Sequence, residues 1–182
     1  MLIQHGSYND AESWVKNSDA IGEAVWAMKL VDRGFDVWMP SNRGTPYSNS
    51  NDRDGTWDEC ERWSFTFADM ATFDQPAFID KILSETGQEK LTYLGFSQGG
   101  SQLIYGLAKN QEYFADKLER AIIMSPCYES TIPLINTPEA AVEVNKPFFD
   151  LGFCSVGGDT WAEKTEFICS SFGEPLCTLA KA

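Results

Sequence analysis

The sequence predicts an α/β protein, a central parallel sheet with flanking helices. Three observations carry this. Short apolar runs of strand length alternate with segments whose apolar residues recur at helical spacing. Gly, Pro and Asp mark the joins. The alternation runs from the first residue to about Tyr128 and then stops. Parallel strands joined by right-handed crossovers accommodate such a pattern.

Residues 1–4 form a short apolar strand ending at His5-Gly6. Ile21, Ala24, Val25, Met28 and Val31 then recur at helical spacing, and Gly34 stops that helix. Residues 35–39, Phe-Asp-Val-Trp-Met, read as a second strand that Pro40 ends. A polar loop follows from Ser41 to about Glu61. Asp74 with Pro76 signals the next helix, since Asp caps free N–H groups and Pro fits a first turn. Phe78, Ile79, Ile82 and Leu83 are its apolar face, and Gly87 closes it. Residues 91–96 are a third strand. Gln98 to about Asn110 is a third helix, with Ile104, Leu107 and Ala108 expected to face inward. Residues 121–124, Ala-Ile-Ile-Met, are the last strand, ended by Ser125-Pro126. Residues 129–182 carry Pro133, Pro138, Pro147 and Pro175 and no such alternation, so they read as the start of an insertion or lid.

Composition narrows the function classes. The net charge of −13 argues against a nucleic-acid partner, because nothing in that balance grips a phosphate backbone. The longest uncharged run, residues 91–108, is broken by Gly, Ser and Gln and is no apolar span. The opening MLIQHGSYND has no basic segment and only Leu2-Ile3 as an apolar stretch, so no signal peptide is visible. Either the chain is cytosolic or its true N-terminus lies upstream. Five cysteines, none in a CxxC pair, give no complete disulfide framework, and one histidine argues against structural zinc. Asp52, Asp54, Asp58 and Glu59 lack calcium-loop spacing and read as a solvated acidic loop. No metal or cofactor is expected. Arg43 reads as a structural residue that anchors its loop, and Trp57, Trp63, Phe65, Phe67 and Phe73 as core packing against the sheet.

Gly95-Phe96-Ser97-Gln98-Gly99 fits G-x-S-x-G between an apolar strand and a helix. A chain of this composition shows that pattern by chance with probability about 0.1, so the context carries the reading. A serine on a tight strand-to-helix turn projects its hydroxyl from the sheet as a nucleophile. The turn crowds the backbone, which is why Gly95 and Gly99 flank it. The backbone N–H of Gln98 then points toward a developing oxyanion. His5-Gly6 after the first strand supplies a second donor, the N–H of Ser7, with His5 orienting the loop. His5 is the only histidine and precedes Ser97, whereas the usual triad order is Ser, acid, His. The general base that would activate Ser97 is therefore not among these residues. Asp159 lies in the irregular tail and not after a strand, so it is set aside as the triad acid.

Several ordered blocks across residues 2–126 resemble the acid lipase family, which includes lysosomal acid and gastric lipases. They are Gln4-His5-Gly6; Gly34-Phe35-Asp36-Val37-Trp38 with Asn42-Arg43-Gly44 and Tyr47-Ser48; Trp63 through Met70; Asp74-Gln75-Pro76-Ala77; Thr86 through Leu91; and the Gly95–Gly99 elbow. The resemblance implies an α/β-hydrolase fold and hydrolysis of triacylglycerol or steryl esters at a lipid interface. It implies a cap inserted after the strand ending near Met124, and a partial chain incomplete at both ends. On that reading residues 1–128 are a partial core and 129–182 the beginning of the cap. The family's triad Asp and His would follow Ala182, and a missing signal peptide would fit a lysosomal or secreted protein. Cys169 with Cys177 is a possible counterpart of the family's cap disulfide. Two departures stand out: Phe96 where the family has His, and Ser7 where it has an apolar residue. The alternative is an inactive relative acting in lipid binding or protein interaction.

Overall fold

In the computed structural model the described residues are 1–16, 25–48 and 63–127, with isolated positions 137, 139, 140, 143, 146 and 150. The chain divides into two compact units. The first, Met1–Ser50 with Phe65–Tyr128, contains everything described below; the second is Asn51–Ser64 with Glu129–Ala182. Apart from those isolated positions the expected lid falls outside the described residues, as do the acidic loop, Trp57, Ile21, Ala24, Asp159 and the Cys169/Cys177 pair.

Three parallel strands make the sheet: β1 (Leu2–Gln4), β2 (Leu91–Phe96) and β3 (Leu118–Met124), in the order β1-β2-β3. Gln4 pairs with Gly95, and Phe96 with Met124. The expected strand over residues 35–39 is reduced to one parallel bridge, Leu2 to Trp38. Two hydrogen bonds hold it, Ile3 N–H to the Trp38 carbonyl and Trp38 N–H to the Met1 carbonyl, both 2.9 Å. The last strand starts at Leu118, three residues before the apolar run.

The helices are α1 (Trp26–Asp32), α2 (Phe67–Asp69), α3 (Gln75–Thr86), α4 (Gln98–Lys109) and α5 (Gln111–Lys117). A π-helical turn, Met70–Asp74, joins α2 to α3. Alternate β1 residues serve opposite faces, as strand pleating requires. Leu2 packs with Tyr93, Ile79, Ile82, Leu83, Leu103 and Phe114 on one side. Ile3 packs with Leu94 and Ala27 on the other. Helices thus cover both faces, and the central parallel sheet with flanking helices is observed. Gly87, at φ 66°, ends α3 in the left-handed conformation that glycine adopts without strain.

Four local expectations are corrected. Asp74 does not cap α3, because the helix starts upstream: Thr66 and Asp69 form a capping box at α2. In α1 the buried residue is Ala27, while Met28 and Val31 are about half exposed. The inward face of α4 is Gly99, Leu103 and Gly106, with Leu107 partly buried and Ala108 exposed. Phe73 is exposed and lies under the Arg43 guanidinium at 5.8 Å. Among the described residues no helix is long and apolar enough to cross a membrane, and no group of three metal-ligating side chains occurs.

Candidate active site at the strand ends

β1 and β2 are adjacent and parallel, so their C-terminal ends open side by side. The chain leaves β2 through Ser97, whose φ of 52° and ψ of −120° lie outside the regions side-chain-bearing residues ordinarily occupy. The surroundings hold it there. Ser97 N–H donates to the Met124 carbonyl at 2.8 Å, prolonging the β2–β3 ladder into the turn. Its own carbonyl accepts from Gly100 N–H (3.0 Å) and Ser101 N–H (3.1 Å), which starts α4 at once.

Such a turn leaves no room for side chains on either flank. A Cβ on Gly95 would lie 2.6 Å from the Gly99 carbonyl group and the Gly100 nitrogen. One on Gly99 would lie 2.7 Å from the carbonyl oxygens of Gln4 and His5. α4 therefore begins in contact with the exit of β1. Across the same gap, a Cβ on Gly6 would come within 2.9 Å of Ser97 Cβ and 3.4 Å of its Oγ. The His5–Gly6–Ser7 loop thus runs directly beside the Ser97 hydroxyl. Gln98 occupies the first position of α4, where a backbone N–H has no intrahelical acceptor.

His5 is buried and both its ring nitrogens are engaged. Nε2 accepts from Asn42 N–H at 3.1 Å, so the proton sits on Nδ1, which donates to the Gly6 carbonyl at 2.8 Å. Burial holds its pKa below the ordinary 6.5, against the opposing pull of the Gly6 carbonyl and Asp10. The imidazole is a neutral brace for the loop and is not free to take a proton from Ser97.

Asn42 is held in turn by its neighbour. Arg43 donates to the buried Asp74 carboxylate from its backbone N–H (3.0 Å), its Nε (2.7 Å) and its Nη2 (2.6 Å). Arg43 anchors its loop as expected, and Asp74 is the anchor point. Tyr93 reaches from β2 under the elbow and donates to the Gly99 carbonyl at 2.9 Å, and burial pushes its pKa up. Phe96, partly exposed beside Ser97, meets Trp14 edge-on at 6.4 Å, and Trp14 leans on Trp26 at 5.3 Å.

Ser97, Gln98, Gly95, Gly99, His5, Gly6 and Ser7 therefore converge at one sheet end. Sequence reasoning gave no site role to Asn42, Asp74 and Met70, nor to the side chains of Gln98 and Gln102. Their partners lie tens of residues away, and no short motif announces them.

The profile of the alpha/beta hydrolase fold family matches residues 1–153. The chain is similar to a Schizosaccharomyces pombe protein named a probable lipase, 40% identical over 128 residues, 70% of this chain and 28% of that protein. It is similar to gastric triacylglycerol lipase of Mus musculus, 36% identical over 124 residues, covering 68% and 30%. It is similar to lysosomal acid lipase/cholesteryl ester hydrolase of Homo sapiens, 38% identical over 99 residues, covering 54% and 24%. The chain thus spans at most 30% of the length of these relatives.

Proposed function

The chain belongs to the alpha/beta hydrolase fold family, and from that premise we propose that it carries the nucleophile and oxyanion hole of a serine hydrolase of lipid esters. The observation that carries this is Ser97 at φ 52°, with the Gly6–Ser7 loop packed beside its hydroxyl. In the proposed reaction Ser97 Oγ attacks the ester carbonyl carbon and gives up its proton to a base. The carbonyl oxygen becomes an oxyanion that accepts from Ser7 and Gln98 N–H. The alkoxide leaves with a proton, and water then releases the acid from the acyl-serine. Two fixed N–H donors stabilise the oxyanion most where water is excluded, and one such donor is worth about 10²–10³ in rate.

The base comes from outside these 182 residues, since His5 has both nitrogens engaged and no histidine follows Ser97. The glyceride or steryl ester preference is inferred from the relatives, whose names specify triacylglycerol and cholesteryl ester substrates. A lysosomal or secreted location is inferred in the same way.

The test is labelling with an alkyl fluorophosphonate, with imidazole added to supply the base, read by mass spectrometry. Phosphonylation is expected at Ser97, faster with imidazole and lost in Ser97→Ala. No modification, or modification spread over surface serines, overturns the proposal. It would favour a non-catalytic lipid-binding role.

A further inference from the structure

The two proposed oxyanion donors are joined by more than backbone. The Ser7 hydroxyl donates to Gln98 Oε1, a side-chain link between the loop after β1 and the first residue of α4. Gln98 spends its Nε2 on the Met70 sulfur at 3.1 Å. Gln102, one turn along α4 and fully buried, donates its Nε2 to the same sulfur at 3.1 Å. Its Oε1 accepts from Asn42 Nδ2 at 3.5 Å, and Asn42 N–H donates to His5 Nε2. His5 Nδ1–H closes on the Gly6 carbonyl, one residue from the starting point. The links form a ring: Ser7, Gln98, Met70, Gln102, Asn42, His5, Gly6.

Every member outside the His5–Ser7 loop sits on a fixed element. Gln98 and Gln102 are on α4, Met70 opens the π-helical turn, and Asn42 is on the loop tied down by Arg43 and Asp74. The exception is the His5–Ser7 loop, and Ser7 is exposed. Within the loop His5 is braced against Asn42, whereas the Ser7 backbone is held only locally, its carbonyl accepting from Asn9 Nδ2 at 3.3 Å, which leaves freedom at the Ser7 N–H. The hydroxyl removes that freedom by fixing the residue to the helix that carries the other donor.

We propose that the side chains of Ser7, Gln98 and Met70 are positioning residues that hold the Ser7 and Gln98 N–H groups at a set separation for the oxyanion, with Met70 as a shared thioether acceptor. This rests on the serine-hydrolase reading above and adds a side-chain role to residues placed there for their backbones. The uncharged partners suit it. A charged acceptor at Gln98 or Met70 would bring negative charge beside the developing oxyanion and oppose it.

The measurement is phosphonylation of Ser97 with imidazole present, resolved into the saturating rate kinact and the half-saturating concentration KI. Ser7→Ala is expected to lower kinact about tenfold with KI unchanged, less than loss of a whole donor because the backbone N–H remains. Ser7→Thr, which keeps the hydroxyl, should restore it. Met70→Leu keeps the bulk and removes the acceptor, and should lower kinact in the same direction. The melting temperature of Ser7→Ala should match the parent, since an exposed hydroxyl contributes no core contact. A Ser7→Ala protein with parental kinact, or one whose slowing merely tracks a fall in melting temperature, overturns the proposal while leaving the serine-hydrolase reading intact. A parent chain never labelled at Ser97 removes both.

Discussion

Replacing Gly99 by alanine tests the reasoning at the point where α4 meets β1. The added methyl would sit 2.7 Å from Gln4 Cγ and from the carbonyl oxygens of Gln4 and His5, when ordinary contact begins near 3.4 Å. Two of the three opposing atoms are backbone, in a strand paired with β2 and in the residue that braces the site loop. Neither rotates away, so α4 must move by roughly half an ångström or more. Overpacking of this kind costs about 1–3 kcal/mol. Alanine regains up to about 1 kcal/mol of helix propensity, and less at the first turn. The net expectation is a loss of about 2 kcal/mol, or roughly 4–8 °C in a melt followed by circular dichroism. Because the displaced atoms include the His5 carbonyl, Ser97 labelling should slow even at temperatures where the variant is fully folded. A Gly99→Ala protein that melts at or above the parent temperature refutes the close contact. One that is destabilised but labels at the parental rate refutes the coupling between helix start and loop.

Two further outcomes are expected. Asp74→Ala removes the acceptor of three Arg43 N–H groups beneath the Asn42 loop, and should cost about 2–3 kcal/mol in urea unfolding, short of a fully buried pair because Arg43 is partly exposed; Asp74→Asn should recover part of it. His5 gives a pH dependence whose sign follows from its lowered pKa. The unfolded chain binds the proton from about pH 6.5 downward while the folded chain refuses it. Stability is therefore full above that pH and falls below it, by up to about 1.4 kcal/mol per pH unit until the folded value is reached. His5→Gln should flatten this limb between about pH 6.5 and 5, above the main carboxylate range. An unchanged slope would contradict the buried neutral imidazole.

The parts legible in the sequence are those with short-range signals. The apolar run of β2, the G-x-S-x-G turn, the Gly87 stop and the His5-Gly6 turn all fall where expected. Helical spacing in α1 identifies a helix but not which side has a partner: Ala27 is the buried residue, while Met28 and Val31 are about half exposed. Asp74-x-Pro76 resembles a helix start, yet the Thr66–Asp69 capping box lay unread eight residues earlier. The π-helical turn between them is one inserted residue's worth of slack, which no propensity reports. Charged Glu119 and Arg120 hide the first half of β3, and Asn110, where the sequence signals the end of one helix, also caps the next, α5. The site followed the same division. Its motif residues were legible, whereas the Ser7–Gln98 and Arg43–Asp74 links join residues 91 and 31 positions apart and exist only once the sheet is assembled.

The pairing of Gln4 with Gly95 also acts as a ruler. Ser7 stands three residues beyond Gln4 and Gln98 three residues beyond Gly95, so the two proposed donors lie the same number of residues from one rung of the sheet. The strand spacing of about 4.8 Å sets the lateral offset at which those steps begin. Chain length is thus a strict variable in these two turns alongside the glycines that line them. A single residue inserted after Gly6 or after Phe96 would break that equal count, whatever its side chain, and should slow Ser97 labelling.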